Sequence, residues 1–532
     1  MTRLIHHSNH RDPVPGGPLR AGTGRLRRRR LPRAEKLLVR QRTGRGTQLA
    51  VQDRPHPQQG PRQSINDLGV EPNRWGVLAL GTVSLVEAEA SMTPRFEVLP
   101  PFVDKSTIFL PYVGYRSTGE CVKFQEVIEL PGELADKPSN LTKPIIRLLS
   151  LAASLSYFKA FAPTPFAVPE GLTARERVFI TELIRNGMGE FAYKNQLREL
   201  FSPTLHAPTL QEVPTEAEVS IQDPPKTKNA LIAVGGGKDS IVTIEALRET
   251  SSRLTLFAIN PKISQLETAR VASLPLLRAS RAIDRNLLYL NQTDAPNGHV
   301  PVTAINSLIG LLTAIATENN AVIFSNESSA SYGNFYWDGQ LINHQWSKSV
   351  DFERLLRSTL PPHSPEYFSL LRPLTEIRIA RRFATHKQYH KIFTSCNRAF
   401  RFTDSTISTW CGDCPKCRFA FLILAPFMPR KDLLSIFNGR DLLADRAQLS
   451  GFTELLGVSG TQKPFECVGE PVECRVALQL LRKHQDWSSH PFKEYPELER
   501  ITATSEESAE VFAWSNRHYI PKRGYQEAAY AI

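Results

Sequence analysis

Six consecutive residues, Gly235, Gly236, Gly237, Lys238, Asp239 and Ser240, follow a short apolar run at 229–234 and precede a helical pattern at 241–249. That order predicts strand, glycine loop, helix. Three glycines let the backbone approach an anion without Cβ clashes, and the first N–H groups of the next helix turn a positive dipole end toward it. Lys238 adds a cation, the Ser240 hydroxyl a donor, and Asp239 a carboxylate ligand for the Mg²⁺ that nucleotide phosphates bring with them. The spacing fits neither the P-loop, with four residues between Gly and Gly-Lys-Ser, nor a dinucleotide fingerprint. A tight turn without a ligand would account for the glycines but not for Lys, Asp and Ser beside them. A second group is Cys411, Cys414 and Cys417, each two residues from the next, with Cys396 fifteen positions before the first. Four thiolates so spaced could close a tetrahedral Zn²⁺ site, whereas three would leave an open position or suit an iron–sulfur cluster. The plain alternative is three reduced cysteines on a turn before a core helix at 419–424.

These groups need a scaffold. Short apolar runs at 229–234, 254–259, 285–290 and 321–326 read as strands, with helices at 264–272 and 303–318 between them. Strand and helix in alternation predict an α/β fold with a doubly wound parallel sheet, its ligands outside the carboxyl ends of the strands. Upstream, 107–115 and 123–130 read as strands and 143–161 and 173–198 as helices, an N-terminal α+β domain over 92–210. Five prolines between 203 and 225 mark a linker, set at 211–228; the domain that carries the glycine loop then runs over 229–395, and a mainly helical region with the cysteine cluster over 396–532.

Charge is concentrated in one stretch. The chain of 532 residues carries a formal +12, yet residues 1–75 hold 16 Lys or Arg against 5 Asp or Glu, so the remainder is nearly neutral. A nucleic-acid binder needs cations spread over a face, so RNA binding through the tail is the weaker alternative. Residues 1–74 lack Phe, Tyr and Trp, and 1–91 reads as a disordered basic tail or as the product of a start placed upstream of Met92. No apolar stretch reaches the roughly 18 residues that span a bilayer, the best being broken by Thr303, Asn306 and Ser307. With cysteines clustered rather than spread, a soluble cytoplasmic protein is expected.

The glycine loop resembles that of the PP-loop ATP pyrophosphatases, of HUP-like fold, with Gly235 standing where the usual motif has Ser. The resemblance implies ATP cleaved between α- and β-phosphates, a substrate adenylylated, and adenine against the backbone near 258–260. The cysteine spacing is similar to that of 7-cyano-7-deazaguanine synthase, a PP-loop enzyme with a four-cysteine zinc site. Taken together with 187–193, 343–349, 395–398, 410–418 and 463–470, the loop resembles the bacterial UDP-N-acetylmuramoyl-L-alanyl-L-glutamate epimerases from about 96 to 482 and beyond. That resemblance implies a terminal L-glutamate turned into D-glutamate on a UDP-linked muramoyl dipeptide, with ATP and Mg²⁺ consumed in the cytoplasm.

Such a reaction needs proton transfer at Cα, and the candidates are His344, Lys348, Cys396, Cys467 and Glu466. His344 is assigned proton transfer and Lys348 anion binding, because both lie just beyond the fourth strand on the carboxyl edge where the loop ends. Tyr332, Tyr336, Trp337 and Trp346 crowd the same stretch, as core or as a wall that stacks a base or sugar. The competing enzyme class is a PP-loop ligase or amidase, which would capture the acyl-adenylate with ammonia or an amine.

Overall fold

The computed structural model describes residues 93–212, 229–248, 250, 253–400, 409–458, 462–522 and 524–532. The basic tail expected at 1–91 and all but the first two residues of the linker expected at 211–228 lie outside the described residues.

Strands β1 (Arg95–Val98), β2 (Phe102–Asp104), β3 (Thr107–Tyr115) and β4 (Cys121–Glu129) pair antiparallel, β3 lying against each of the other three. In β3, Ile108, Leu110 and Tyr112 are buried at every second position, the alternation of a strand with one covered face. Helix α1 (Ser139–Phe158) supplies much of that cover. After β5 (Phe166–Ala167), Thr173 and Glu176 form a reciprocal capping box that starts α2 (Ala174–Glu182). A π-helical turn, Leu183–Gly187, then interrupts the expected continuous helix before α3 (Gly189–Asn195) and β6 (Leu205–His206).

The α/β core follows as β7 (Asn229–Ala233), α4 (Lys238–Leu247), β8 (Arg253–Ile259), α5 (Ile263–Ala272), β9 (Leu276–Ala282), α6 (Arg285–Leu290), α7 (Val302–Ala316) and β10 (Ala321–Phe324). A hairpin, β11 (Phe335–Trp337) and β12 (Gln340–Ile342), leads to α8 (Val350–Thr359) and β13 (Glu366–Ser369). Helices α9 (Glu376–Phe383), α10 (Pro415–Leu424), α11 (Arg430–Ile436), α12 (Leu449–Leu455) and α13 (Pro471–Lys483) dominate the rest.

One sheet joins these parts in the order β13-β10-β7-β8-β9-β4-β3-β1-β5-β6, with β2 on β3. From β13 to β9 every pairing is parallel. The N-terminal strands attach through β4, whose Val127–Glu129 run antiparallel to Ser280–Ala282 of β9. Both faces of the parallel part are covered, which is why its strands read as apolar runs without alternation. Ala230 and Ile232 face one core with Leu256, Ile323 and Phe368, whereas Leu231 faces another with Phe257, Val322 and Tyr367. The chain passes from β7 outward to β8 and β9, then returns to β10 on the other side of β7. That reversal opens a crevice at the carboxyl ends of β7 and β10.

The structure corrects one expected strand. Residues 285–290 are helix α6, begun where the Asp284 carboxylate accepts from the Asn286 N–H, and Leu287 and Leu290 are buried three positions apart while Leu288 and Tyr289 are exposed. The strand is β9, which carries Arg278, Ser280 and Arg281 and buries only Ala279 fully, so it has no continuous apolar signal. Among the described residues, no helix is long and apolar enough to cross a membrane.

Candidate active site

At the crevice, β7 gives way to the glycine loop. Gly236 has φ +81°, and a Cβ there would collide with Ser264 Oγ and lie 3.3 Å from Gln265 Cγ, so the position requires glycine. Gly237 caps α4 without any side-chain hydrogen bond, which leaves the helix start to whatever binds in front of it. Gly235, Gly237, Asp239 and Ser240 line a cavity of about 360 Å³ together with Ala258 and Ile259 from the end of β8. These two are where the adenine was expected, and Asn260 instead braces β8 by accepting from Arg281 N and donating to Arg281 O. Ser325 and Asn326, just after β10, also line the cavity. The Ser325 hydroxyl is buried without a hydrogen-bond partner, a group that a polar ligand would satisfy.

Gly236 and Lys238 do not reach the cavity wall. Lys238 is buried in ion pairs with Asp239 and Glu376. Asp239, Glu327 and Glu376 bring carboxylate oxygens within 4.8 Å of one another. Burial pushes Glu376 up to about 7, Lys238 opposing and Asp239 adding to the rise; burial also raises Glu327. Three carboxylates around one ammonium are an oxygen-rich, electron-rich set of the type that takes Mg²⁺.

Another part of the cavity wall comes from later segments: Lys348, Ser395, Asn397, Lys416 and Cys467. Lys348 Nζ lies 3.1 Å from Cys467 Sγ, and Lys416 Nζ donates to the Cys467 carbonyl. Burial disfavours a charged Cys467, but Lys348 and a hydrogen bond from His344 hold the thiol well below its ordinary range. His344 itself is one layer back. Its ring pairs with Glu190 on α3, where the break at Gly187 and Met188 redirects the helix. Burial opposes charge on His344, yet Cys467 and Glu190 hold its pKa up to about 9. Burial likewise opposes charge on Glu190, and His344 together with Lys194, at 2.5 Å, holds it down to about 2. The His299 ring lies 4.5 Å from the His344 ring, tilted by 44°, and is pushed down to about 3 by burial and by His344, so it stays neutral. Lys348 is therefore on the wall as expected, and His344 reaches the cavity only through Cys467.

Other expectations divide. Glu466 accepts from Asn397 Nδ2 at the cavity edge, whereas Cys396 belongs to the thiol cluster. None of the four aromatics lines the cavity: Tyr332 and Tyr336 are exposed, Trp346 packs 5.8 Å from Phe352, and Trp337 packs against Tyr193 and Phe201. Glu190, His299, Glu327, Glu376 and Lys416 were not singled out as site residues. Glu190 and Lys416 stood inside the segments at 187–193 and 410–418, and Glu327 follows the strand end at 321–326. His299 and Glu376 carried no local signal.

Cys396, Cys411, Cys414 and Cys417 converge with all Sγ atoms within 4.8 Å. The separations are 4.0 Å for Cys396–Cys414, 3.6 Å for Cys411–Cys417 and 3.5 Å for Cys414–Cys417. Zn–S bonds of about 2.3 Å give a tetrahedron with edges of about 3.8 Å, so the four thiols fit zinc. Cys414 caps α10 with Pro415 at its first turn, and Lys416 between the two cysteines is thereby aimed into the cavity.

The family model described as MurL N-terminal domain matches residues 88–370, and that described as MurL C-terminal domain matches 392–511. A relative from Micromonospora sp. named UDP-N-acetyl-alpha-D-muramoyl-L-alanyl-L-glutamate epimerase is 44% identical over 411 residues, 75% of this chain and 89% of its own. Relatives of the same name from Salinispora tropica and Xanthomonas oryzae pv. oryzae are 45% and 39% identical, covering 69% and 68% of this chain and 80% of each relative. No solved structure matches the chain.

Proposed function

The chain belongs to the MurL family, and we propose that it converts the terminal L-glutamate of UDP-N-acetylmuramoyl-L-alanyl-L-glutamate to D-glutamate in peptidoglycan precursor synthesis. In this reading the glutamate carboxylate attacks the α-phosphate of ATP and pyrophosphate leaves, and water later cleaves the mixed anhydride to release AMP. The observation that carries it is one cavity lined both by a glycine loop at a sheet switch point and by a cation–thiol group. An isomerase gains from such a loop for a physical reason. The Cα–H beside a free carboxylate is a very weak acid, because its carbanion would stand next to an existing negative charge. Adenylylation removes that charge and draws electrons from Cα, so a modest protein base suffices.

The roles follow the layout. Gly235, Gly237 and the start of α4 receive the phosphates, Gly236 shaping the turn that presents them, with Ser240 as donor and Lys238 as the charge that orients the carboxylates. Asp239, Glu327 and Glu376 would hold Mg²⁺, which when bound offsets phosphate charge. Lys348 holds the anionic oxygen of the activated glutamate, and the Glu190–His344–Cys467 chain handles the proton. Cys396, Cys411, Cys414 and Cys417 would hold a structural Zn²⁺. A UDP-linked substrate places the work in the cytoplasm.

The test is incubation with ATP, Mg²⁺ and the UDP-linked L-glutamyl substrate in D₂O, reading chirality, deuterium, product mass and AMP. Deuterated D-glutamate formed with AMP, and no other mass change, is the expected result. AMP without inversion, or a product bearing a new amide, would move the protein to ligase or amidase chemistry.

A further inference from the structure

The epimerase reading leaves open which atom touches the reacting carbon. We propose that Cys467 Sγ is the group that removes the Cα proton; the assignment rests on that reading. Four observations converge on it. Cys467 is half-buried and lines the cavity shared with the glycine loop, whereas His344 does not. Lys348 Nζ stands 3.1 Å from the sulfur, and Lys416, itself buried, fixes the backbone of the same residue through its carbonyl. His344 and Glu190 complete a chain in which a carboxylate orients an imidazole and the imidazole contacts the thiol. This is the arrangement that activates a sulfur in general.

The neighbouring groups are unsuited to accept a proton. Lys348 and Lys416 are ammonium donors, and His344 is held charged up to about 9. Glu466 does not line the cavity, and its carboxylate is engaged by the Asn397 amide. The thiolate is thus the basic group that this part of the wall presents, and the cations that hold it charged also shield the enolate oxygen that forms beside it.

In the step itself the Cα–H bond breaks, an S–H bond forms on Cys467, and the electron pair moves into the carbonyl of the acyl-adenylate. A proton drawn from solvent water on the other face completes the inversion, water then cleaves the mixed anhydride to free the D-glutamyl carboxylate and AMP, and the thiol returns its proton to solvent.

Cys467→Ala and the near-isosteric Cys467→Ser, run in D₂O beside the wild type, separate activation from proton transfer. Expected are AMP formation within a few-fold of wild type, with deuterium incorporation and D-glutamate reduced about 100-fold or more. Peptide-resolved alkylation of wild-type Cys467 should in addition stay fast well below the thiol's ordinary pKa of about 8.5. Wild-type exchange in either variant would overturn the assignment. So would equal loss of AMP and exchange in a variant with an unchanged melting temperature, or ordinary alkylation behaviour at Cys467. Absence of AMP from the wild type would bring down the epimerase reading, and this assignment with it.

Discussion

Glu190 and His344 show how burial sets the state of a residue. Each is mostly shielded from water; His344 is held charged by Cys467 and Glu190, and Glu190 by His344 and Lys194. His344, raised to about 9 from 6.5, contributes stability in full below 6.5 and loses that contribution as pH climbs through 9. Glu190, lowered to about 2 from 4.5, contributes in full above 4.5 and loses it as pH falls through 2. Glu190→Gln should therefore cost about 3 kcal/mol where both terms are present, since it leaves a buried charge without its partner. Melting curves should show the largest gap between wild type and variant from pH 4.5 to 6.5 and a smaller one at pH 9. A gap independent of pH would mean that the pair does not govern the charge of His344. At this scale the sequence offered types without states: His344 and Cys467 stood out as candidates, but nothing local to either shows that one carries a proton and the other has lost it.

Elements hold these residues in place, and one buried arginine links several. Arg372, just after β13, pairs with Glu353 on α8 at 3.1 Å and donates to the carbonyls of Glu327 at 2.7 Å and Lys348 at 2.5 Å. It thereby ties Glu327, the metal-binding candidate, and Lys348, the residue proposed to bind an anion, to the edge of the sheet. Arg372→Met should cost about 3–5 kcal/mol by stranding the Glu353 carboxylate. The pair Arg372→Met with Glu353→Leu should recover most of that stability while leaving D-glutamate formation low, because the two carbonyls are still unanchored. Full recovery of activity in the double variant would show Arg372 to be structural alone. The strands that bear the site were legible because parallel strands covered on both faces read as apolar runs. The hairpin β11–β12 was passed over among its aromatics, although Asp338 and Gly339 form its turn at φ 52° and 75° and Asp-Gly is a strong hairpin signal. Strand β9 was not legible, since it forms the seam between parallel and antiparallel parts and carries polar residues there. The π-helical turn before α3 was not read either: Gly187 and Gly189 mark the place, but the apolar residues at three and four spacings run on across it.

On the scale of the molecule, Cys396, Cys414 and Cys417 belong to the larger of the two cores among the described residues, and the partly buried Cys411 packs against it. Freshly reduced protein should carry about one zinc per chain, and Cys417→Ser should lose it and lower the melting temperature by several degrees. A metal-free wild type with an unchanged melting temperature would leave the thiols as core filling. Activity should fall with the metal, because Lys416 is held between Cys414 and Cys417 and its ammonium reaches the Cys467 carbonyl from there. The sequence by itself determined the glycine loop, the spacing of the cysteines and the α/β class, because each depends on residues close together in the chain or on a short period. Only the tertiary structure decided that Glu190 meets His344 across 154 positions and that Lys348 meets Cys467 across 119. Their proximity arises from the sheet order and from packing around it, and their charges arise from exclusion of water at that meeting point. Neither is a property of any one segment.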